Sequence, residues 1–181
     1  MPTVLVILPD GFEELEVVAP VDILRRASCT VTLAALGPGI HVTGRNGIVL
    51  HADLPLAALP ADTAPADCLL LPGGPGVTAL RSSPEVRALL TRHHAAGKLL
   101  AAICAAPLIL RDAGLLAGRR YTAHPSTASE LDAILAEERV VRDGTLLTSR
   151  GAGTALDFGL ALVSALTSPE KAAEIAASIR A

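Results

Sequence analysis

Cys104 closes a short apolar run, Leu99 to Ile103, and is followed by Ala105, Ala106 and Pro107 before a helix-like stretch from Leu108 to Asp112. A cysteine at a strand-to-helix turn lies beside backbone N–H groups that have no partner inside the helix. Their partial positive charge favours the thiolate over the thiol. This is the layout of a sharp nucleophile-bearing turn, in which the small residue after the nucleophile supplies an oxyanion-hole N–H. The same run also suits a buried small hydrophobe, because free cysteine is among the most buried residue types.

Other polar residues fall where a second apolar run ends. Glu13, Glu14 and Glu16 follow the first run, near a helix N-terminus. Glu13 and Glu14 read as favourable partners of the helix dipole. Glu16, just before Val17 and Val18, is placed to face inward, where burial would raise its pKa and keep it protonated. Pro72-Gly73-Gly74-Pro75-Gly76 follows another run. Its glycines permit either close backbone approach to a ligand or a tight turn. Tyr121 to His124 forms a short β-like segment ending on a histidine, and the Gly-rich stretch Ser149 to Thr154 is a weak anion-site signal at a helix start. His93 and His94 are adjacent on a helix and point in different directions, so they read as solvated surface rather than as a metal site. Cys29 and Cys68 read as structural filler. No cysteine pair has zinc-ligand spacing, and no phosphate-loop or dinucleotide fingerprint is present.

The elements that must position these residues alternate in type. Strands are expected at Thr3–Leu8, Thr30–Ala35, Cys68–Leu71, Leu99–Ile103 and Leu146–Ser149, mostly as near-continuous apolar runs suited to cover on both faces. Helices are expected over Glu13–Ala27, with Pro20 kinking it or marking a new start, over Pro84–Ala96 behind a Ser83 cap, over Thr154–Leu166, and from Ser168 to about Ile179. Asn46-Gly47 signals a hairpin. The class is α/β with a mainly parallel sheet, in one domain spanning residues 1–181. With 181 residues, 51% of them hydrophobic, the chain can bury one substantial core. Its formal charge of −3 and 2% aromatic content argue against nucleic-acid binding. No apolar run approaches the ~20 residues of a membrane span. The N-terminal stretch reads as a first strand rather than a signal peptide, so a cytoplasmic location is expected.

Together these motifs resemble the ThiJ/PfpI superfamily, and within it the DJ-one branch of bacterial type. They run in order: Val4 to Leu8 with Gly11 to Glu16, Pro20 to Ala27, Leu69 to Gly74, Ala101 to Pro107, Thr122 to Pro125, and Asp143 to Thr154. The match is nearly full-length and specific in combination. It implies a flavodoxin-like three-layer sandwich, a homodimer, and no cofactor or metal. It also implies that Cys104 is the reactive cysteine and Glu16 the glutamate that hydrogen-bonds it as a protonated acid. Gly73, Gly74 and Ala105 match the oxyanion pocket, His124 the nearby histidine, and Arg45 an arginine contributed across the dimer. The activity implied is glutathione-independent conversion of a small aldehyde substrate such as methylglyoxal to a hydroxy acid, with deglycation as a related activity. Oxidation of Cys104 to a sulfinate in a redox sensor is the rival reading. Peptidase activity is disfavoured, because His124 has no evident acid partner in sequence.

Overall fold

Strands that are apolar at every position need cover on both faces, and in this chain they receive it. The computed structural model describes residues 1–60 and 62–181. Strands β1 (Thr3–Leu8), β2 (Thr30–Ala35), β6 (Cys68–Leu71), β7 (Leu99–Ile103) and β9 (Leu146–Ser149) have the bounds expected from sequence. Strands β3 (His41–Thr43) and β4 (Val49–His51) form the hairpin signalled by Asn46-Gly47. Two short strands, β5 (Leu54–Pro55) and β8 (Val140–Asp143), complete the main sheet at its edges. Its order is β5-β2-β1-β6-β7-β9-β8, parallel throughout except for β8 against β9. The order reverses at β1, as in flavodoxin-like sheets, and the crevice beyond that reversal is where such sheets hold ligands.

Alternation along each strand sorts the core into two layers. Val4, Val6, Leu8, Leu70, Ile103 and Leu147 face one side, with α1 (Glu14–Arg26), α5 (Ala155–Leu166) and α6 (Pro169–Ile179) packed on it. Leu5, Ile7, Leu69, Leu71 and Leu100 face the other, under α2 (Val77–Ser82), α3 (Pro84–Ala95) and α4 (Pro107–Asp112). Ser83 and Ser168 cap α3 and α6, each accepting at 3.2 Å from a backbone N–H, of Val86 and Lys171 respectively. No helix among the described residues is long and apolar enough to cross a membrane.

Three expectations change. Pro20 neither breaks α1 nor starts a new helix: α1 runs continuously through it. The ring is buried in the contact with α5, where the absence of a side chain at Gly159 lets the two helices approach. A Cβ there would lie 2.8 Å from Ile23 Cδ1 and 3.0 Å from Pro20 Cα. His93 is not solvated. It shares one face of α3 with Val86, Leu89 and Leu90 and is buried with them, whereas His94 is exposed. Tyr121 to His124 is not a strand but a single bridge from Tyr121 to Ile134. Its backbone donors go elsewhere: Thr122 N–H to the Thr148 hydroxyl and His124 N–H to the Cys104 carbonyl.

The α1–α5 contact fixes the helix that carries Glu16. Gly159→Val is therefore expected to lower the unfolding free energy by about 2–3 kcal/mol through overpacking, read as a reduced urea midpoint at unchanged m.

Candidate active site

Cys104 leaves the end of β7 in the left-handed region, at φ 64°. Non-glycine residues seldom adopt that conformation, and it costs on the order of 1–3 kcal/mol unless the surroundings impose it. Here they do. The Cys104 N–H donates to Ser149 O at 2.9 Å, and its carbonyl accepts from His124 N–H at 2.9 Å. The backbone N–H groups of Ala105 and Gly74 favour the ionised form of the thiol held at this turn. The turn from Ser149 to Thr154 is support rather than an anion site. Thr154 Oγ1 lies 2.6 Å from Ser149 Oγ and accepts from Gly151 N–H at 3.2 Å, so it holds the residue on which Cys104 leans.

Gly73 separates the cysteine from the glutamate. A Cβ on Gly73 would stand 2.6 Å from Cys104 Cβ and 2.6 Å from Glu16 Oε2, so no other residue fits there. Its peptide groups are clamped to the start of α1. The carbonyl accepts from Glu13 N–H at 3.1 Å, and the N–H donates to Glu16 Oε2 at 2.8 Å. Gly73 was expected to line the oxyanion pocket, but its N–H is spent on the carboxyl, and Ala105 and Gly74 supply the N–H groups that favour the Cys104 thiolate. Gly74 takes φ 93°, and a Cβ on it would strike Gly11 O at 2.4 Å.

Glu16 is fully buried. Burial pushes its carboxyl up to about 7, against the lowering effect of hydrogen bonds with the Cys104 side chain and Gly73 N–H; Glu13 raises it and Arg45 lowers it through their charges. Its Oε1 is buried and meets no N–H or O–H donor among the described residues. An oxygen so placed is where a carboxyl carries its proton, since an O–H needs no donor. The cysteine does not gain a thiolate from the helix terminus alone. Burial, then the charge and hydrogen bond of an ionised Glu16, push its thiol up to about 12 against the N–H groups of Ala105 and Gly74. Protonating Glu16 removes that repulsion and turns the carboxyl into a donor. The two groups titrate as one unit that carries a single negative charge above about pH 7. Burial raises the thiols of Cys29 and Cys68 as well, and the charge of Asp67 adds to the rise in both.

His124 is exposed and joins the site through its backbone. Its Nδ1 lies 3.2 Å from Ser126 N and 2.8 Å from Ser126 Oγ. A backbone N–H only donates, so Nδ1 is an acceptor and the neutral ring carries its proton on Nε2. No carboxylate bonds the ring among the described residues. A cleft lined by His124, Arg150 and Gly151 to Thr154 opens beside it. Arg45 lies on the hairpin loop of the same chain, with Nη1 3.3 Å from Glu13 Oε2. The loop is held by Glu14, a residue whose role the sequence reading missed. Glu14 is buried and accepts from Asn46 N–H at 2.7 Å and Asn46 Nδ2 at 2.9 Å. Burial opposes its ionisation, but its own N–H, those of Asn46 and Ile48 and the Asn46 amide hold its pKa below the usual range. The contact requires the absence of a side chain at Gly44, where a Cβ would meet Glu14 Oε1 at 2.4 Å.

Comparison with known proteins gives this arrangement a family. The DJ-1/PfpI family model matches residues 2–165. Protein dj-1beta of Drosophila melanogaster is 39% identical over 95% of this chain and 93% of its own length. Its crystal structure superposes with a TM-score of 0.93, covering 98% of this chain and 97% of that one at 38% identity. Protein DJ-1 homolog B of Arabidopsis thaliana is 40% identical over 96% of this chain, which spans only 40% of that longer protein. Glutathione-independent glyoxalase DJR-1.2 of Caenorhabditis elegans is 32% identical over 90% of this chain and 87% of its own length. An oxidized Toxoplasma gondii DJ-1 structure gives a TM-score of 0.92 at 36% identity, covering 99% and 98% of the two chains. The chain belongs to the DJ-1/PfpI family.

Proposed function

We propose that the protein converts small α-oxoaldehydes such as methylglyoxal to 2-hydroxy acids without glutathione or any other cofactor. The observation that carries this reading is the buried Glu16 carboxyl, with one oxygen unpaired, set against a cysteine held at a strained turn. The C. elegans relative named as a glutathione-independent glyoxalase supports it. The Cys104 thiolate adds to the aldehyde carbon, and the N–H groups of Gly74 and Ala105 stabilise the oxyanion, which is protonated to a hemithioacetal. Glu16, now a carboxylate, removes the proton from that carbon, and a proton is returned to the neighbouring carbonyl carbon. His124 assists this exchange through Nε2–H. The product is a thioester, whose hydrolysis by one water releases the hydroxy acid and restores the thiolate. The net change is addition of one water, with no external oxidant. The reaction needs a reduced cysteine, which is the ground for placing the protein in the cytoplasm.

A second reading shares the site. A thiolate with a neutral carboxyl donor beside it is suited to oxidation by peroxide to a sulfinate that the Glu16 O–H then stabilises, and the oxidized Toxoplasma relative is in keeping with this. We also propose that the chain is a homodimer. Leu15 and Val18, three residues apart on α1, and Ile48 and Val49 on the hairpin are all exposed. Glu14 ties these two elements together, and a second copy would cover them beside Arg45.

Incubation with methylglyoxal in the absence of glutathione is expected to yield lactate. Cys104→Ala should abolish that yield and Glu16→Gln should reduce it at least ~100-fold, in the range of general acid–base contributions. kcat/KM should rise with pH through about 7, as the Cys104–Glu16 pair loses its first proton. Lactate formed by Cys104→Ala at the wild-type rate would sink the mechanism. Mild peroxide followed by intact-mass and peptide analysis should add two oxygen atoms at Cys104 and none at Cys29 or Cys68; equal oxidation of all three would remove the redox reading. Light scattering after size exclusion should give twice the chain mass of 18.5 kDa, and Val18→Arg should shift it to the monomer.

A further inference from the structure

Two histidines stand directly opposite each other on the β3–β4 hairpin, His41 against His51. Ala52 N–H donates to the Ile40 carbonyl at 2.7 Å, which makes His41 and His51 a non-hydrogen-bonded pair. Side chains approach most closely at such positions of an antiparallel ladder. The two ring centroids are 4.1 Å apart and the ring planes meet at 72°. Val42 and Leu50, the next pair along, pack against the core, so the histidines lie on the outer face, and both are exposed.

An edge-to-face contact of two exposed rings accounts for this spacing but leaves their nitrogens uncommitted. Among the described residues, the imidazole nitrogens hydrogen-bonded within the protein are those of His93 and His124. A neutral imidazole keeps one nitrogen unprotonated, and that nitrogen is a metal ligand. Bonds of about 2.0–2.1 Å to a tetrahedral ion place two ligating nitrogens about 3.3 Å apart. Rings with centres 4.1 Å apart reach that separation by small rotations, which exposed side chains make freely. The surroundings suit a cation. Neither strand carries Lys or Arg. Asp10 accepts from Thr43 N–H at 2.9 Å, and Asp53, two residues beyond His51, accepts from Leu33 N–H at 2.7 Å. Arg45, on the loop between the strands, is paired with Glu13. Imidazole ligands select zinc, nickel or copper over magnesium and calcium, which take oxygen.

We propose that His41 and His51 form a two-point site for a divalent transition-metal ion of the zinc, nickel and copper class. Val49 is exposed on the same outer face. In the homodimer proposed above the ion therefore lies beside the contact, its other positions taken by water or by groups of the second copy. Neither histidine belongs to the Cys104 site, and the binding is independent of the aldehyde reading.

Titration of the full chain with Ni²⁺, followed through its amide NMR signals, tests this, because the paramagnetic ion broadens the signals nearest to it. Substoichiometric Ni²⁺ should broaden the amides of residues 40–43 and 49–52 before those around His94 and His124, the other exposed histidines. Mg²⁺ should change none of them. His41→Gln and His51→Gln should each weaken Ni²⁺ binding at the hairpin at least about tenfold, since either change turns a chelate into a single ligand. Methylglyoxal turnover should be unchanged in both variants. Equal broadening around His94 or His124 in the wild type, or a single variant that keeps the wild-type affinity, would overturn the proposal. The first of these outcomes is read on the wild-type protein and stands even if a variant fails to fold.

Discussion

A carboxyl group with no solvent exposure and one oxygen unpaired does not remain in a protein interior as an ordinary anion, and the site is built around that constraint. Glu16 has one N–H, from Gly73, and one neighbour able to share a proton, Cys104. Burying a lone carboxylate is far costlier than burying the acid, so burial holds the Glu16 carboxyl well above its usual range, while the N–H groups of Ala105 and Gly74 favour a charge on the neighbouring sulfur. The acidity of the cysteine is then a property of the carboxyl beside it more than of the short helix behind it. Removing the carboxyl proton while the sulfur is ionised would set two negative charges side by side.

Holding that pair together requires three elements to meet with little tolerance. Helix α1 brings Glu16, the turn after β6 brings Gly73 and the elbow after β7 brings Cys104. The parallel register places the ends of β6 and β7 side by side, with Leu71 opposite Ala102. Glycine at 73 removes the side chain that would separate acid from thiol. One turn further along the same face of α1, Gly159 lets α5 close on Pro20. The two glycines act at successive turns of one helix, and both serve to seat it.

Much of this was legible in the residues. Five apolar runs gave five strands with their bounds, because strands buried on both faces carry an uninterrupted apolar signature. Cys104 and Glu16 stood out because a thiol and an acid at strand ends are unusual residue types in a crevice. The short edge strands β5 and β8 were not legible: Leu54–Pro55 is too brief, and Val140–Asp143 mixes apolar with charged residues as an edge allows. His93 was misplaced because the two histidines were read as a pair. The spacing of Val86, Leu89, Leu90 and His93 assigns it to the core stripe. Glu14 and the carboxyl contact of Gly73 were invisible for another reason. Each depends on a partner about 30 or 60 residues away, through a backbone donor that has no sequence signature.

The first turn of α1 shows how closely spaced carboxylates can be given separate work. Glu14 fixes the hairpin loop, and Glu13 faces the Arg45 that this loop carries. The charges of Glu13 and Arg45 act on Glu16 in opposite senses, that of Glu13 more strongly, so while the two stay together Arg45 offsets part of the effect of Glu13 on the buried acid. The hairpin is thus an electrostatic trim on the acid strength of a group it does not touch. Whatever displaces the loop, whether a contact on its exposed apolar tip or a change at Glu14, carries Arg45 away from Glu13 and alters how readily Glu16 gives up its proton.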